Sequence, residues 1–156
     1  MAKIFETSEE IVELVNNQFE NTGLNNYGVH VKVMSLPKAK DVIKVSRANA
    51  TTEHLTHTND LITVFVYEAA FERMDENAQN KIVEMALSGI SYDNDKDKIL
   101  LDTNPYHLMV NMKRKYGNDI LNQVELSTLV IEEIDQEEKE RKEAEKEAKK
   151  AKKNNV

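Results

Sequence analysis

Cysteine and tryptophan are absent from the 156 residues, proline occurs twice and glycine four times. Without a thiol, disulfides, thiolate zinc sites and cysteine nucleophiles are excluded. The glycines stand alone at positions 23, 28, 89 and 117, so no clustered-glycine loop exists to cradle a phosphate or a dinucleotide. Aromatic residues are sparse, five tyrosines and four phenylalanines. No apolar run exceeds the four residues 64–67, against the roughly 20 that a membrane-spanning helix requires. Met1 to Ser8 has one lysine and no apolar core of signal-peptide length, so neither a standard secretory signal nor a membrane partner is expected.

Charge is abundant, 21 basic against 28 acidic residues for a net −7. From Glu132 to Val156 nine acidic residues nearly balance eight basic ones, so the acidity belongs to the body that precedes them. A body of that sign is a poor match for nucleic acid, whose phosphates need a basic face. A protein partner is the expectation.

Beyond Ile134 the sequence DQEEKERKEAEKEAKKAKKNNV has no branched aliphatic or aromatic residue before Val156. Such a segment has no face to bury and is expected to be solvated, as a helix or a disordered tail. Its Glu, Lys, Arg and Ala are helix formers, and Glu137 with Arg141, Glu138 with Lys142 and Glu145 with Lys149 have the i,i+4 spacing that supports one. Acid at its start and Lys149, Lys150, Lys152 and Lys153 at its end suit the helix dipole. Extended and charged, it is the expected interaction element, with Glu137, Glu138 and these four lysines as its contact residues.

The body reads as alternating short elements. Thr7-Ser8-Glu9-Glu10 resembles a capping box, and Ile11, Leu14, Val15 and Phe19 keep helical spacing until Gly23. Val29, Val31 and Val33 alternate with polar neighbours as in a half-buried strand, and Val42 to Val45 predicts a second. Arg47 to Asn59 is polar and aperiodic, a loop. Leu61 to Tyr67 is nearly continuous β-branched and aromatic residue, as expected of a central strand covered on both faces. Asp75 then caps a helix through Ser88, and Ile90 to Tyr92 with Ile99 to Leu101 form a hairpin. Asn104 and Pro105 open a helix that Gly117 closes, and an amphipathic helix from Asp119 to Ile134 runs into the charged tail. The expected fold class is α+β, a small mixed sheet of about five strands packed with helices and followed by a charged C-terminal helix. Residues 1–118 form the domain, 119–134 the amphipathic helix and 135–156 the tail.

Chemical motifs are weak. His54 and His57 are three residues apart, but in a loop with no third ligand at fixed spacing. Asp93-Asn94-Asp95-Lys96-Asp97 imitates the opening of a calcium loop, yet the sixth position is Lys98 instead of glycine and the twelfth is Asn104 instead of glutamate. A polar turn accounts for both stretches. Ser88, Ser91 and His107 belong to no nucleophile motif.

Lys38-Ala39-Lys40 with Lys44-Val45-Ser46, Asp60 to Tyr67, Phe71 to Asp75, Lys81 to Glu84, Leu87, Tyr92 to Leu101 and Lys115-Tyr116-Gly117 follow one another in a distinctive order. In that order the stretch from His30 to Gly117 resembles the metallopeptidase domain family of bacteriophage genomes. The resemblance implies a zincin-like core and a phage protein working in the host-cell cytoplasm or on the virion. It places the first metal-ligand position on Met85, the general base on Ala86, the second ligand on Gly89 and the third on Asn104. None of these can supply zinc hydrolysis, which needs three ligands and a base. The expectation is therefore a non-catalytic protein with no cofactor, acting by binding another macromolecule. Its rivals are a virion or assembly component, and a zinc enzyme with ligands relocated to His54, His57 and His107 and Glu53 or Glu84 as base.

Overall fold

The computed structural model describes residues 5–56 and 60–155. A two-residue strand β1 (Phe5–Glu6) leads into helix α1 (Glu9–Asn21), whose Ile11, Val15 and Phe19 recur every fourth residue and are buried. Ser8 stands at the N-cap but makes no side-chain cap bond, so the expected capping box is not closed. Glu9 and Glu10 in the first turn still complement the helix dipole. Gly23, at φ 75°, takes the left-handed conformation that ends the helix.

Strands β2 (His30–Leu36), β3 (Ile43–Arg47) and β4 (Leu61–Tyr67) join β1 in a four-stranded mixed sheet of order β1-β2-β4-β3. β4 lies inside it as expected, parallel to β2 and antiparallel to β3. Register puts Val31, Val33, Ile62, Val64, Val66, Ile43 and Val45 on one face, the face that meets the helices. The other two strands, β5 (Ile90–Asp93) and β6 (Lys98–Leu101), pair only with each other. One sheet of about five strands is thus replaced by a sheet of four and a separate hairpin. Periodicity identifies strands, but pairing is decided by where the chain between them runs.

Between β3 and β4 the expected loop contains helix α2 (Ala50–Thr56). Its one large apolar residue, Leu55, is 73% exposed, so no apolar period in the sequence announces the helix. After β4 the chain turns at once into the short helix α3 (Glu68–Phe71), which buries Ala70 and Phe71. Helix α4 (Glu76–Leu87) begins where Asp75 Oδ1 accepts the Ala78 N–H at 2.7 Å. Ala78, Ile82, Val83, Ala86 and Leu87 face the core. α4 is the central helix, packed on β3 with α1 on one flank and helices α5 (Pro105–Tyr116) and α6 (Ile120–Asn154) on the other.

α6 is one continuous helix of 35 residues across both sequence-defined segments, 119–134 and 135–156. Val130 and Ile131 are buried and Ile134 is partly buried, whereas every residue from 139 to 155 is exposed. The first turn of the tail is nevertheless held by the body. Arg73 pairs with Glu137 and Lys38 with Glu138, so full solvation begins near Lys139 and not at Asp135. Apolar periodicity does not register a docking made of ion pairs.

Candidate functional site

A cavity of about 620 Å³ lies between the outer edge of β3 and the helices α4, α5 and α6. Asp41, Val42, Ile43, Lys44 and Val45 line it consecutively on one side. Ile82, Met85 and Ala86 of α4 form the floor, Leu108 and Pro105 close one end, and Val124, Ser127, Thr128 and Ile131 of α6 form the far wall. Phe65 and Leu36 reach the same space from the sheet. The wall is mostly aliphatic, which suits an apolar occupant oriented by few polar groups.

Two of the four positions singled out by the resemblance, Met85 and Ala86, contribute to this groove. Met85 is half-buried and Ala86 buried. Neither can ligate a hard metal ion or accept a proton at neutral pH. Gly89 serves the packing of the backbone, because a Cβ at this position would overlap the Asp102 carbonyl oxygen. Its own carbonyl accepts the Asp102 N–H at 2.8 Å. Asn104 caps α5, Oδ1 accepting the Tyr106 N–H at 3.0 Å and the His107 N–H at 3.4 Å. The last two positions are thus occupied by backbone approach and capping.

His54 lies on α2, His57 lies outside the described residues, and His107 stands near the start of α5 with Nδ1 2.8 Å from Asp102 Oδ2. Asp102 also accepts the Asn104 N–H at 3.0 Å. That backbone bond, followed by His107, holds its carboxyl below the usual aspartate range. Among the described residues no group of three or more His, Cys, Asp or Glu is arranged to hold a metal ion. Of the two glutamates considered as a base, Glu53 is carried on α2 and Glu84 on α4. Glu84 accepts the Tyr116 hydroxyl at 2.6 Å and an ion pair from Lys115, which ties α4 to α5. The Lys115 ammonium is correspondingly raised above its ordinary pKa by that contact.

In the calcium-like turn, Asp93 Oδ1 accepts the amides of Asp95 at 3.0 Å and Lys96 at 3.3 Å, and Tyr92 Oη bonds Asp97. Asp93 and Asp97 are therefore engaged in shaping the turn. On the tail, Glu137 and Glu138 are held against the body, and both carboxyls lie below the ordinary glutamate pKa because Arg73 and Lys38 hydrogen-bond them. Lys149, Lys150, Lys152 and Lys153 are exposed. All six tail candidates lie on the one helix α6, the two glutamates at its docked part and the four lysines at its exposed end.

The groove was missed by motif reading because its walls are ordinary core residues from four separated segments. Its one local sign is Lys44 between Ile43 and Val45, the alternation of a strand with one polar face. Among the described residues, no helix is long and apolar enough to cross a membrane. No family model, no curated protein and no solved structure matches the chain.

Proposed function

We propose that the chain is a non-catalytic phage protein of metallopeptidase-like fold that binds another protein in the host-cell cytoplasm, taking an apolar polypeptide segment into the groove between β3 and α6. The observation that carries this reading is the placement of Met85 and Ala86 in the groove floor, at the positions where the resemblance to phage metallopeptidases calls for a zinc ligand and a base. A methionine adapts its shape to an apolar partner and offers no catalysis. The cavity volume is in the range of known ligand pockets, about 300–1,000 Å³.

The test is selection of peptides from a random library on the full-length protein, followed by binding to Thr128→Trp. Thr128 is exposed on the groove wall, so an indole there fills the groove without disturbing the core. Peptides that bind the unaltered protein and lose most of their affinity for Thr128→Trp support the reading. Selection of nothing, or equal binding to the filled variant, overturns it.

A further inference from the structure

We infer that the groove's occupant docks as an added β-strand on β3, and that it is an extended peptide in which aliphatic residues alternate with aspartate or glutamate. This rests on the groove-binding reading above and specifies the partner.

The backbone supplies the first argument. Tyr67 N donates to Val42 O at 2.8 Å, and Ala48 N donates to Leu61 O at 2.9 Å. In an antiparallel ladder bonded residues alternate, so Val42, Lys44, Ser46 and Ala48 turn their N–H and C=O groups toward β4. Ile43 and Val45 turn theirs away from it, and β3 is the last strand of the sheet. Val45 is buried and Ile43 half-buried, so the accessible part of this edge centres on Ile43, and outward backbone groups with no partner among the described residues are a template for another strand.

The shape of the groove supplies the second. A cavity over one face of a strand meets every second residue, because side chains alternate. Here Ile43, Lys44 and Val45, three consecutive residues of β3, all line the space, and Ala39 to Val42 continue the lining ahead of the strand. The cavity therefore lies along the strand's edge, where a partner strand would run.

Charge identifies the occupant. Lys40 and Lys44 line the groove, are exposed, and form no ion pair among the described residues. Asp41 is the one acid among the lining residues. Side chains of an added strand that point to the side of Ile43 and Val45 meet Ile82 and Met85. Those that point the other way run beside the Lys44 ammonium. Aliphatic and acidic residues in alternation satisfy both sides. The overall charge of −7 opposes such a peptide only at a distance, since exposed charges beyond about 8 Å are screened at physiological ionic strength. A second copy of this chain fits worse, because pairing two β3 edges would bring the lysines of both into one sheet.

The experiment measures, on the full-length chain at neutral pH and physiological ionic strength, the binding of four labelled peptides. One alternates glutamate with valine, one alternates lysine with valine, and two are the glutamate peptide N-methylated on every glutamate amide or on every valine amide. The expected result is binding of the first, with the lysine peptide and one of the two N-methylated peptides weaker by about tenfold or more, since only alternate amides face β3. Lys44→Glu should weaken the glutamate peptide and strengthen the lysine peptide. Ile43→Pro, which removes an outward N–H while sparing the β3–β4 ladder, should weaken the first; if it does not fold, the N-methylated peptides decide. Equal binding of both N-methylated peptides or of the lysine peptide overturns the inference, as does self-association through β3 without peptide uptake. If library-selected peptides fill the groove but the glutamate peptide does not bind, the strand inference falls and the groove reading stands. If neither binds, both fall.

Discussion

Arg73 grips Glu137 through two hydrogen bonds, Nη1 to Oε1 at 3.1 Å and Nη2 to Oε2 at 2.7 Å. This bidentate pair bolts the segment after α3 to the middle of α6. One residue further on, Glu138 accepts Lys38 Nζ at 3.0 Å and also meets Lys142. Lys38 belongs to the connection between β2 and β3, so the second contact fastens that connection over one end of the groove.

The two glutamates give the latch a pH dependence. Hydrogen bonds from Arg73 and Lys38 lower both carboxyl pKa values below the ordinary 4.5, so the folded state favours the ionised forms. Their contribution is complete above the unfolded value and is lost as pH falls through the depressed folded value. Amide protection factors in α6 from Glu133 to Lys142, corrected for the pH dependence of intrinsic exchange, should fall on acidification below about pH 4, and in high salt at neutral pH. Arg73→Ala should remove part of that dependence. Protection unaffected by both acid and Arg73→Ala would show that the pair anchors nothing.

Truncation separates the anchored from the free part of α6. Ending the chain after Glu143 removes, among the described residues, only exposed ones and should leave the melting temperature unchanged. Ending it after Ile134 removes both ion-paired glutamates as well and should lower it slightly. Equal melting of the two truncated chains would contradict the docking of Glu137 and Glu138.

Val64 and Phe65 are neighbours on the central strand with different fates. Val64 is fully buried, whereas Phe65 is half-buried on the opposite face and lines the groove. Val64→Asp places a carboxylate in the core without a partner and should cost about 3–5 kcal/mol, enough to unfold a marginal domain. Phe65→Asp should leave the protein folded at reduced stability. Circular dichroism melts distinguish them, and a stable Val64→Asp would refute the buried assignment.

Gly89 is a close-approach position. Gly89→Ala would force its methyl against the Asp102 carbonyl, so the joint between α4 and the hairpin must open, at about 1–3 kcal/mol. Denaturant titration measures this. A neutral Gly89→Ala would mean the joint adjusts freely.

Zinc content is a further measurement. Because Met85, Ala86, Gly89 and Asn104 hold the positions that the resemblance assigns to ligands and base, protein purified without a histidine tag should carry well under one zinc per chain and hydrolyse no casein. One zinc per chain, lost in His54→Ala or His107→Ala, would revive the relocated-ligand enzyme.

Elements whose cause is local were legible in the sequence alone. Ile11, Val15 and Phe19 mark α1, Asp75 and Asn104 cap α4 and α5, and the β-branched run from Leu61 to Tyr67 makes the central strand. Each of these follows from spacing, capping or propensity within a dozen residues. Everything that joins distant segments was settled by tertiary packing. The edge position of β3, the separation of the hairpin from the sheet, the approach of Gly89 to Asp102 and the reach of Arg73 to Glu137 depend on how the chain returns on itself. The groove is of this second kind. Its walls come from β3, α4, the start of α5 and α6, and they enclose a groove only because α4, packed against both β3 and α6, stands between the edge of β3 and α6.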